Sequence, residues 1–327
     1  MKILVTGGSG FIGSHLVENL VKKKEHNVIV IDNLSSGRLE NLNGVLDKVK
    51  FVKADISKIG SYKKYFRDVD IVFHLAALAD IVPSINNPNK YFNSNVMGTK
   101  NILDLIIKYK IPKIIYTASS SCYGIPKNYP TKETEKLDPK YPYALTKKLG
   151  EDIIMHYSRL YKFKALSLRL FNVYGPKSRT SGAYGAMFGV FLRQKISNRP
   201  LTVVGDGNQT RDFTYVSDVI KALNKTIGYN GLCKIINVGS GKSISVNKIV
   251  SILKCKKIFI PKRPGEPEIT QADIKLAKKE LKWSPKIGIN FGIKNLLENI
   301  DYWKDAPLWT PKKIKKATRG WFKYLND

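Results

Sequence analysis

The chain is poor in cysteine and in acidic side chains, and it has no long hydrophobic run. Only three cysteines occur among 327 residues, Cys122, Cys233 and Cys255. They are far apart, show no paired spacing and have no histidine partner nearby, which argues against a disulfide framework and against a cysteine-based metal site. No apolar stretch approaches the roughly 20 residues of a membrane span. The first strand-like run starts at Ile3, with no room before it for a secretory leader, so a cytoplasmic protein is expected. Aspartate and glutamate number 26 against 56 lysines and arginines, a formal net charge of +30. Such a balance would suit nucleic acid if it were gathered in an arginine-rich, aromatic-interleaved block. It is instead mostly lysine spread along the chain, as in Lys22-Lys23-Lys24 and Lys278-Lys279. Nucleic acid is therefore not an expected partner, although anionic small molecules would be steered favourably.

What is present suffices for a proper core: 43% of residues are hydrophobic, over a length that suits two domains. The stretch that organises the rest is Val5-Thr6-Gly7-Gly8-Ser9-Gly10-Phe11-Ile12-Gly13. It follows Ile3-Leu4-Val5 and leads into apolar residues at helical spacing, Phe11, Ile12, Leu16, Val17, Leu20 and Val21, so it reads as strand, glycine turn, helix. Gly7 suits a tight turn needing positive φ, Gly10 lets the backbone approach a pyrophosphate, and Gly13 lets helix pack on strand. The helix N-terminus adds unpaired N–H groups and a positive dipole end. A second apolar run, Val28-Ile29-Val30-Ile31, ends in Asp32 about 20 residues further on, where a carboxylate can accept hydrogen bonds from an adenosine ribose. A 2′-phosphate would be repelled there, and Asn33 rather than arginine follows, so NAD is expected rather than NADP.

Asn33-Leu34-Ser35-Ser36-Gly37 then reads as a loop beside the adenosine. Residues 49–53 look like a third strand, ending in Asp55 and Ile56, where a carboxylate can reach the adenine amino group. A fourth strand, 70–74, runs into Leu75-Ala76-Ala77, small residues suited to close passage of a dinucleotide. His74 reads as a packed strand-end residue rather than a catalyst. A helix is expected over about residues 89–109, broken by Pro112 before a strand at 114–117. Alternation of this kind implies an α/β fold with a parallel sheet covered on both faces, a Rossmann-type doubly wound domain. A polar cluster, Ser119-Ser120-Ser121, stands at the carboxyl end of that strand, where such sheets place ligands. Tyr143 and Lys147 lie four apart on an expected helix running to about Tyr161, so the ammonium can sit near the phenol and, with a nicotinamide close by, lower its pKa toward use as a base. Ser119 could hydrogen-bond the same substrate oxygen.

The ordered motifs resemble those of the NAD-dependent sugar-nucleotide epimerase/dehydratase family, extended short-chain dehydrogenase/reductases, with 4-epimerases of UDP-hexoses most alike. The matching segments are Gly7, Gly10 and Gly13; Asp32-Asn33-Leu34; Asp55-Ile56; His74-Leu75-Ala76-Ala77; Asn95 with Gly98-Thr99; Ser119 before Tyr123-Gly124; Tyr143 with Lys147; and Phe171 to Pro176. They continue through Gly205 to Val219, Asn237 to Gly241, and Arg263-Pro264-Gly265-Glu266. The resemblance implies a cofactor domain over about 1–175, with 214–228 packing back onto it, and a smaller α/β substrate domain over 176–327. It implies Ser119, Tyr143 and Lys147 as the catalytic set, with Phe11, Ile12, Asn95 and Phe171 joining the cofactor contacts named above. On the substrate side it implies Ser84, Asn172, Arg211, Arg263 and Thr270, the arginines clamping a UDP-sugar diphosphate through forked N–H pairs unless they serve only as structural salt bridges. It also implies a homodimer through the helices over 89–109 and 143–161, whose apolar sets include Ile102, Leu105, Ile106, Ile153, Ile154 and Tyr157.

Dehydratases and decarboxylases of the family carry acids after the active-site serine or threonine, whereas this chain has Ser120 and Ser121. Neither hydroxyl is a general acid near neutral pH, so 4-epimerisation through a 4-keto sugar is expected. The alternatives are a nucleotide-sugar reductase, an epimerase acting at another carbon, and a non-catalytic dinucleotide sensor. Two departures stand out: Ala79-Asp80 where some epimerases have lysine, and Lys177 after Pro176 where arginine is common. Thr270 occupies a place where a small residue goes with acceptance of N-acetylated hexoses, though it could equally cap a helix starting near Asp273. The basic, aromatic tail after Pro307 is not explained by the motifs and is expected to dock on its own fold.

Overall fold

The computed structural model describes residues 1–178 and 187–325. Its frame is a seven-stranded, all-parallel sheet of β1 (Lys2–Thr6), β2 (Asn27–Asp32), β3 (Val49–Lys53), β4 (Ile71–His74), β5 (Lys113–Ser119), β6 (Lys164–Leu170) and the strand Cys233–Val238. The spatial order is Cys233–Val238, β6, β5, β4, β1, β2, β3. The winding direction reverses between β4 and β1, and at such a switch point a crevice opens at the carboxyl ends of the strands.

The strands are apolar runs because both faces are covered, and their period of two sorts residues to opposite sides. Ile3 and Val5 of β1, with Val28 and Val30 of β2, pack on one side with Leu16, Val17 and Leu20 of α1 (Phe11–Leu20). Leu4, Ile29 and Ile31 face the other side. There they meet Ile102, Leu103 and Ile106 of α4 (Gly98–Lys108) and Ile154 and Met155 of α5 (Pro142–Tyr161). Each such side chain contributes about 1.5–3 kcal/mol when fully buried.

Between β4 and α4 lie α2 (Ile81–Asn86), α3 (Pro88–Tyr91) and a π-helical stretch, Phe92–Met97. The helix expected over 89–109 is thus present but changes its winding in the middle. Of the apolar residues on its faces and those of α5, Ile102, Leu105, Ile106 and Ile154 are buried in the chain's own core, while Ile153 and Tyr157 are half-buried.

The second half returns to the sheet twice. Helix Val216–Ile227 lies on α1, where Asn224 Nδ2 donates to Asn19 Oδ1 at 2.6 Å, and Lys113 Nζ from β5 meets the carbonyls of Ile227 and Tyr229 at 2.7 Å each. A cation at a helix C-terminus satisfies orphan carbonyls and the negative dipole end. Beyond that helix, Cys233–Val238 adds the seventh strand beside β6. Loops of this half are gathered by Asp212, whose carboxylate accepts from the backbone N–H groups of Ser240, Gly241 and Ala272 at 2.6, 3.0 and 2.9 Å. The tail forms two short helices, Pro311–Ala317 and Arg319–Tyr324, docked through buried Ile314 and Trp321. Among the described residues no helix is long and apolar enough to cross a membrane, and no cluster of His, Cys, Asp and Glu is set to hold a metal ion.

Candidate active site

A cavity of about 570 Å³ occupies the crevice and runs from the glycine turn, past Tyr143, to Arg211 and Arg263. At its cofactor end the glycines are sterically required. Gly7 has φ +73°, and a Cβ there would lie 2.7 Å from the Ala76 nitrogen; a Cβ on Gly13 would lie 2.1 Å from the Gly7 carbonyl oxygen. Gly10 precedes α1 without any side-chain cap, which leaves first-turn N–H groups for a phosphate. Phe11, Ile12, Leu75, Ala76, Ala77 and Phe171 complete this wall.

Asp32 closes β2 as the motif predicts. Its Oδ2 accepts from Ser9 N–H at 3.0 Å and its Oδ1 from Leu34 N–H at 2.8 Å. Burial raises this carboxyl, against the two N–H groups, which lower it in part. Each oxygen keeps lone-pair capacity for a ribose hydroxyl. Asn33, Ser35, Ser36, Asp55 and Ile56 also face the cavity. Leu34 and Gly37 do not line it. Leu34 adopts φ +59°, and Gly37 lets the loop fold back, since a Cβ there would meet the Ser9 carbonyl carbon at 2.9 Å. Asn95, expected on the cofactor, is buried off the cavity: its Oδ1 accepts from Leu78 N–H at 2.8 Å and its Nδ2 meets Thr146 Oγ1 at 3.0 Å. It ties the loop after β4 to α5, and the π turn is the segment that carries it.

Ser119, Tyr143 and Lys147 come together on the cavity wall, the first from the end of β5 and the others from the first turns of α5. Ser119 Oγ and Ser121 Oγ are 2.8 Å apart. Burial pushes the Tyr143 phenol up to about 12, against hydrogen bonds from Ser119 and Ser121 that lower it. Burial likewise pushes the Lys147 ammonium down to about 7, and it sits 4.1 Å from the centroid of the Tyr116 ring. The lowered phenol expected from the four-residue spacing is therefore not what the protein alone produces. Desolvation outweighs the two serine hydrogen bonds. Ser121, which the sequence reading did not place in the site, belongs beside the phenol; the short turn Ser120–Tyr123 brings it there.

His74 is fully buried, bonded to Thr6 Oγ1 at 2.7 Å and Thr99 Oγ1 at 2.9 Å, and burial pushes it down to about 3. It is a neutral packing residue.

On the substrate side Asn172, Arg211, Arg263 and Thr270 line the cavity, and Ser84 does not. Ser84 Oγ donates to the Ile81 carbonyl at 2.6 Å and accepts from Tyr143 N–H at 3.1 Å. It thus satisfies a backbone donor at the start of α5 and fixes the catalytic helix, rather than facing substrate. Thr270 caps no helix. Its hydroxyl accepts from Asn172 Nδ2 and from Asp212 N–H, both at 3.0 Å, and so orients Asn172 at the cavity. Both arginines engage one carboxylate, Arg211 at 3.4 Å and Arg263 at 3.2 Å from Glu266. The salt-bridging alternative therefore holds, and it also aims the two guanidinium groups at the same wall. Glu266 stands in the Arg-Pro-Gly-Glu motif, yet nothing local to it announces two partners.

The NAD-dependent epimerase/dehydratase family model matches residues 3–239. Three solved structures are similar over nearly their whole length. The UDP-glucose 4-epimerase of Thermotoga maritima, solved with UDP-glucose, is 33% identical with a TM-score of 0.87, over 92% of this chain and 99% of that one. The UDP-N-acetylglucosamine 4-epimerase of Methanobrevibacter ruminantium, in complex with UDP-N-acetylmuramic acid, is 31% identical with a TM-score of 0.84, over 91% and 98%. The UDP-glucuronic acid 4-epimerase of Bacillus cereus, with UDP-glucuronic acid and NAD, is 32% identical with a TM-score of 0.84, over 92% and 99%. The glycine cradle that only a bare backbone can form, the carboxylate at the end of β2 and the tyrosine–lysine helix accord with this match, and the chain belongs to the NAD-dependent epimerase/dehydratase family.

Proposed function

We propose that the protein inverts C4 of a neutral UDP-hexose, interconverting UDP-glucose and UDP-galactose and also the N-acetylated pair. The observation that carries this reading is the single cavity that joins the glycine cradle, the Ser119–Tyr143–Lys147 cluster and the two arginines. The cradle, Asp32 and Asp55 are shaped to hold NAD, which when bound accepts hydrogen with its electron pair from sugar C4 and gives it back. Tyr143 takes the proton of the C4 hydroxyl and later returns it, while the Ser119 and Ser121 hydroxyls hold the same oxygen. Because burial sets the phenol near 12, its deprotonation needs positive charge nearby, and Lys147 one turn further along α5 is the chain's own source. Arg211, Arg263 and Asn172 grip the diphosphate. The 4-keto sugar then turns about that grip and presents its other face.

A neutral hexose is favoured over a hexuronate by charge. Among the described residues lining the cavity the cations are Lys147, Arg211 and Arg263, each with a task already, and Asp80 adds negative charge on the Tyr143 side. A sugar carboxylate would be left without a partner there. Thr270 supports the N-acetylated pair, since a small residue leaves room for an acetamido group. The test is a panel of UDP-glucose, UDP-N-acetylglucosamine and UDP-glucuronate, with product configuration read by NMR. C4 inversion of the first two, with little on the third, is the expected result. Stoichiometric consumption of nicotinamide, or inversion at another carbon, would overturn it.

A further inference from the structure

The tail that the family motifs leave unexplained packs beside the substrate site. Trp321 is fully buried, and its indole N–H donates to the Pro264 carbonyl at 2.7 Å. The Arg263 guanidinium lies 5.9 Å from the Trp321 ring centroid, within cation–π range. On its other side the same ring packs against Ile81 and Val82 of α2, and Tyr141, two residues before the catalytic tyrosine, lies 5.8 Å away. The approach is close: a Cβ on Gly320 would meet Asn86 Oδ1 at 2.5 Å. One helix earlier, buried Ile314 lines the cavity itself. One tail side chain thus touches both the loop that carries Arg263 and the element that carries Ser84, the anchor of α5.

We propose that Trp321 is a positioning residue for substrate, holding the Arg263–Glu266 loop against the catalytic helix so that the diphosphate grip and Tyr143 keep one spacing. A tryptophan is suited to this because it offers a large rigid face for packing and one N–H that must find an acceptor when buried. The inference rests on the UDP-sugar reading above. If the loop were anchored only by its own ion pairs, Arg263 would have no need of a tail residue more than fifty positions away.

The experiment compares the full-length parent with Trp321→Phe and Trp321→Ala by calorimetric titration with UDP and, separately, with NAD, together with kcat, KM and thermal melting. Phenylalanine keeps an aromatic ring in the site while removing the N–H and the five-membered part of the indole, so it stays informative even if the alanine variant folds poorly. Trp321→Phe is expected to raise the UDP Kd and the KM for UDP-glucose by about three- to tenfold, the effect of one lost buried hydrogen bond. Its kcat and NAD Kd are expected to stay near the parent's despite a modest fall in melting temperature, and adding it to Arg263→Lys should cost less than it does alone. An unchanged UDP Kd, or equal losses for UDP and NAD that follow a fallen melting temperature, would reduce Trp321 to core packing and overturn the proposal. A parent that binds no UDP would instead overturn the substrate reading, and this inference with it.

Discussion

The two ends of the cavity are built in opposite ways. The cofactor end comes from neighbouring strand ends, Gly7 after β1, Asp32 ending β2 and Ala76 after β4, and its shape rests on backbone and on missing side chains. The substrate end is assembled from residues far apart in the chain, Asn172, Arg211, Glu266, Thr270 and Trp321, which hold one another through side-chain bonds and ring packing. A backbone-built site tolerates little change and varies little in what it holds. A site made of side chains that fix one another can change its ligand through a few substitutions.

The contrast can be broken in order of effect. Tyr143→Phe stands at the junction of both ends and keeps the ring packing while removing the base, so turnover should fall by about 10²- to 10⁴-fold with UDP and NAD binding nearly intact. Turnover within tenfold of the parent, measured by coupled assay, would remove Tyr143 from the chemistry. Gly13→Ala attacks the cofactor end alone. Its Cβ meets backbone rather than a yielding side chain, so NAD affinity by calorimetry should drop by about tenfold or more while UDP affinity is kept.

Thr270→Tyr attacks the substrate end. Overpacking beside the sugar should lower kcat/KM for the N-acetylated pair relative to the plain pair by about tenfold. An equal fall for both pairs would mean that the threonine acts only through its bond to Asn172. A separate effect concerns the stability of the frame beneath both ends. His74 is pushed down to about 3 by burial, below its ordinary value of 6.5, so the unfolded chain binds the extra proton first as pH falls. The stability tied to a neutral His74 is complete above pH 6.5 and is lost toward pH 3 at up to about 1.4 kcal/mol per unit. Denaturant unfolding of His74→Asn should show a shallower loss across that window than the parent; identical slopes would refute the assignment.

The cofactor end was legible in sequence because each of its signals is local. A glycine that must avoid a backbone atom a few residues away, or a carboxylate ending an apolar run, shows in the spacing itself. The first five strands were legible for the same reason; β6 was not read from the sequence, and the place of Cys233–Val238 beside it is set by a return of the chain across the substrate half. Ser84 and Asn95 were polar residues in family positions, and residue type does not say that one meets the Tyr143 backbone and the other Thr146. Spacing along a helix carries no sign of the desolvation that pushes the Tyr143 phenol up in the protein alone. Trp321 read only as an aromatic residue in a basic tail, since its partner Pro264 lies in another loop altogether.

The most direct test of C4 inversion uses UDP-glucose carrying deuterium at C4, incubated with the protein and NAD in ordinary water and followed by NMR. The account predicts UDP-galactose with the label retained at C4, because a hydrogen taken from C4 with its electron pair and returned to it does not exchange with water. Loss of the label to solvent, or a product altered at any other carbon, would contradict it.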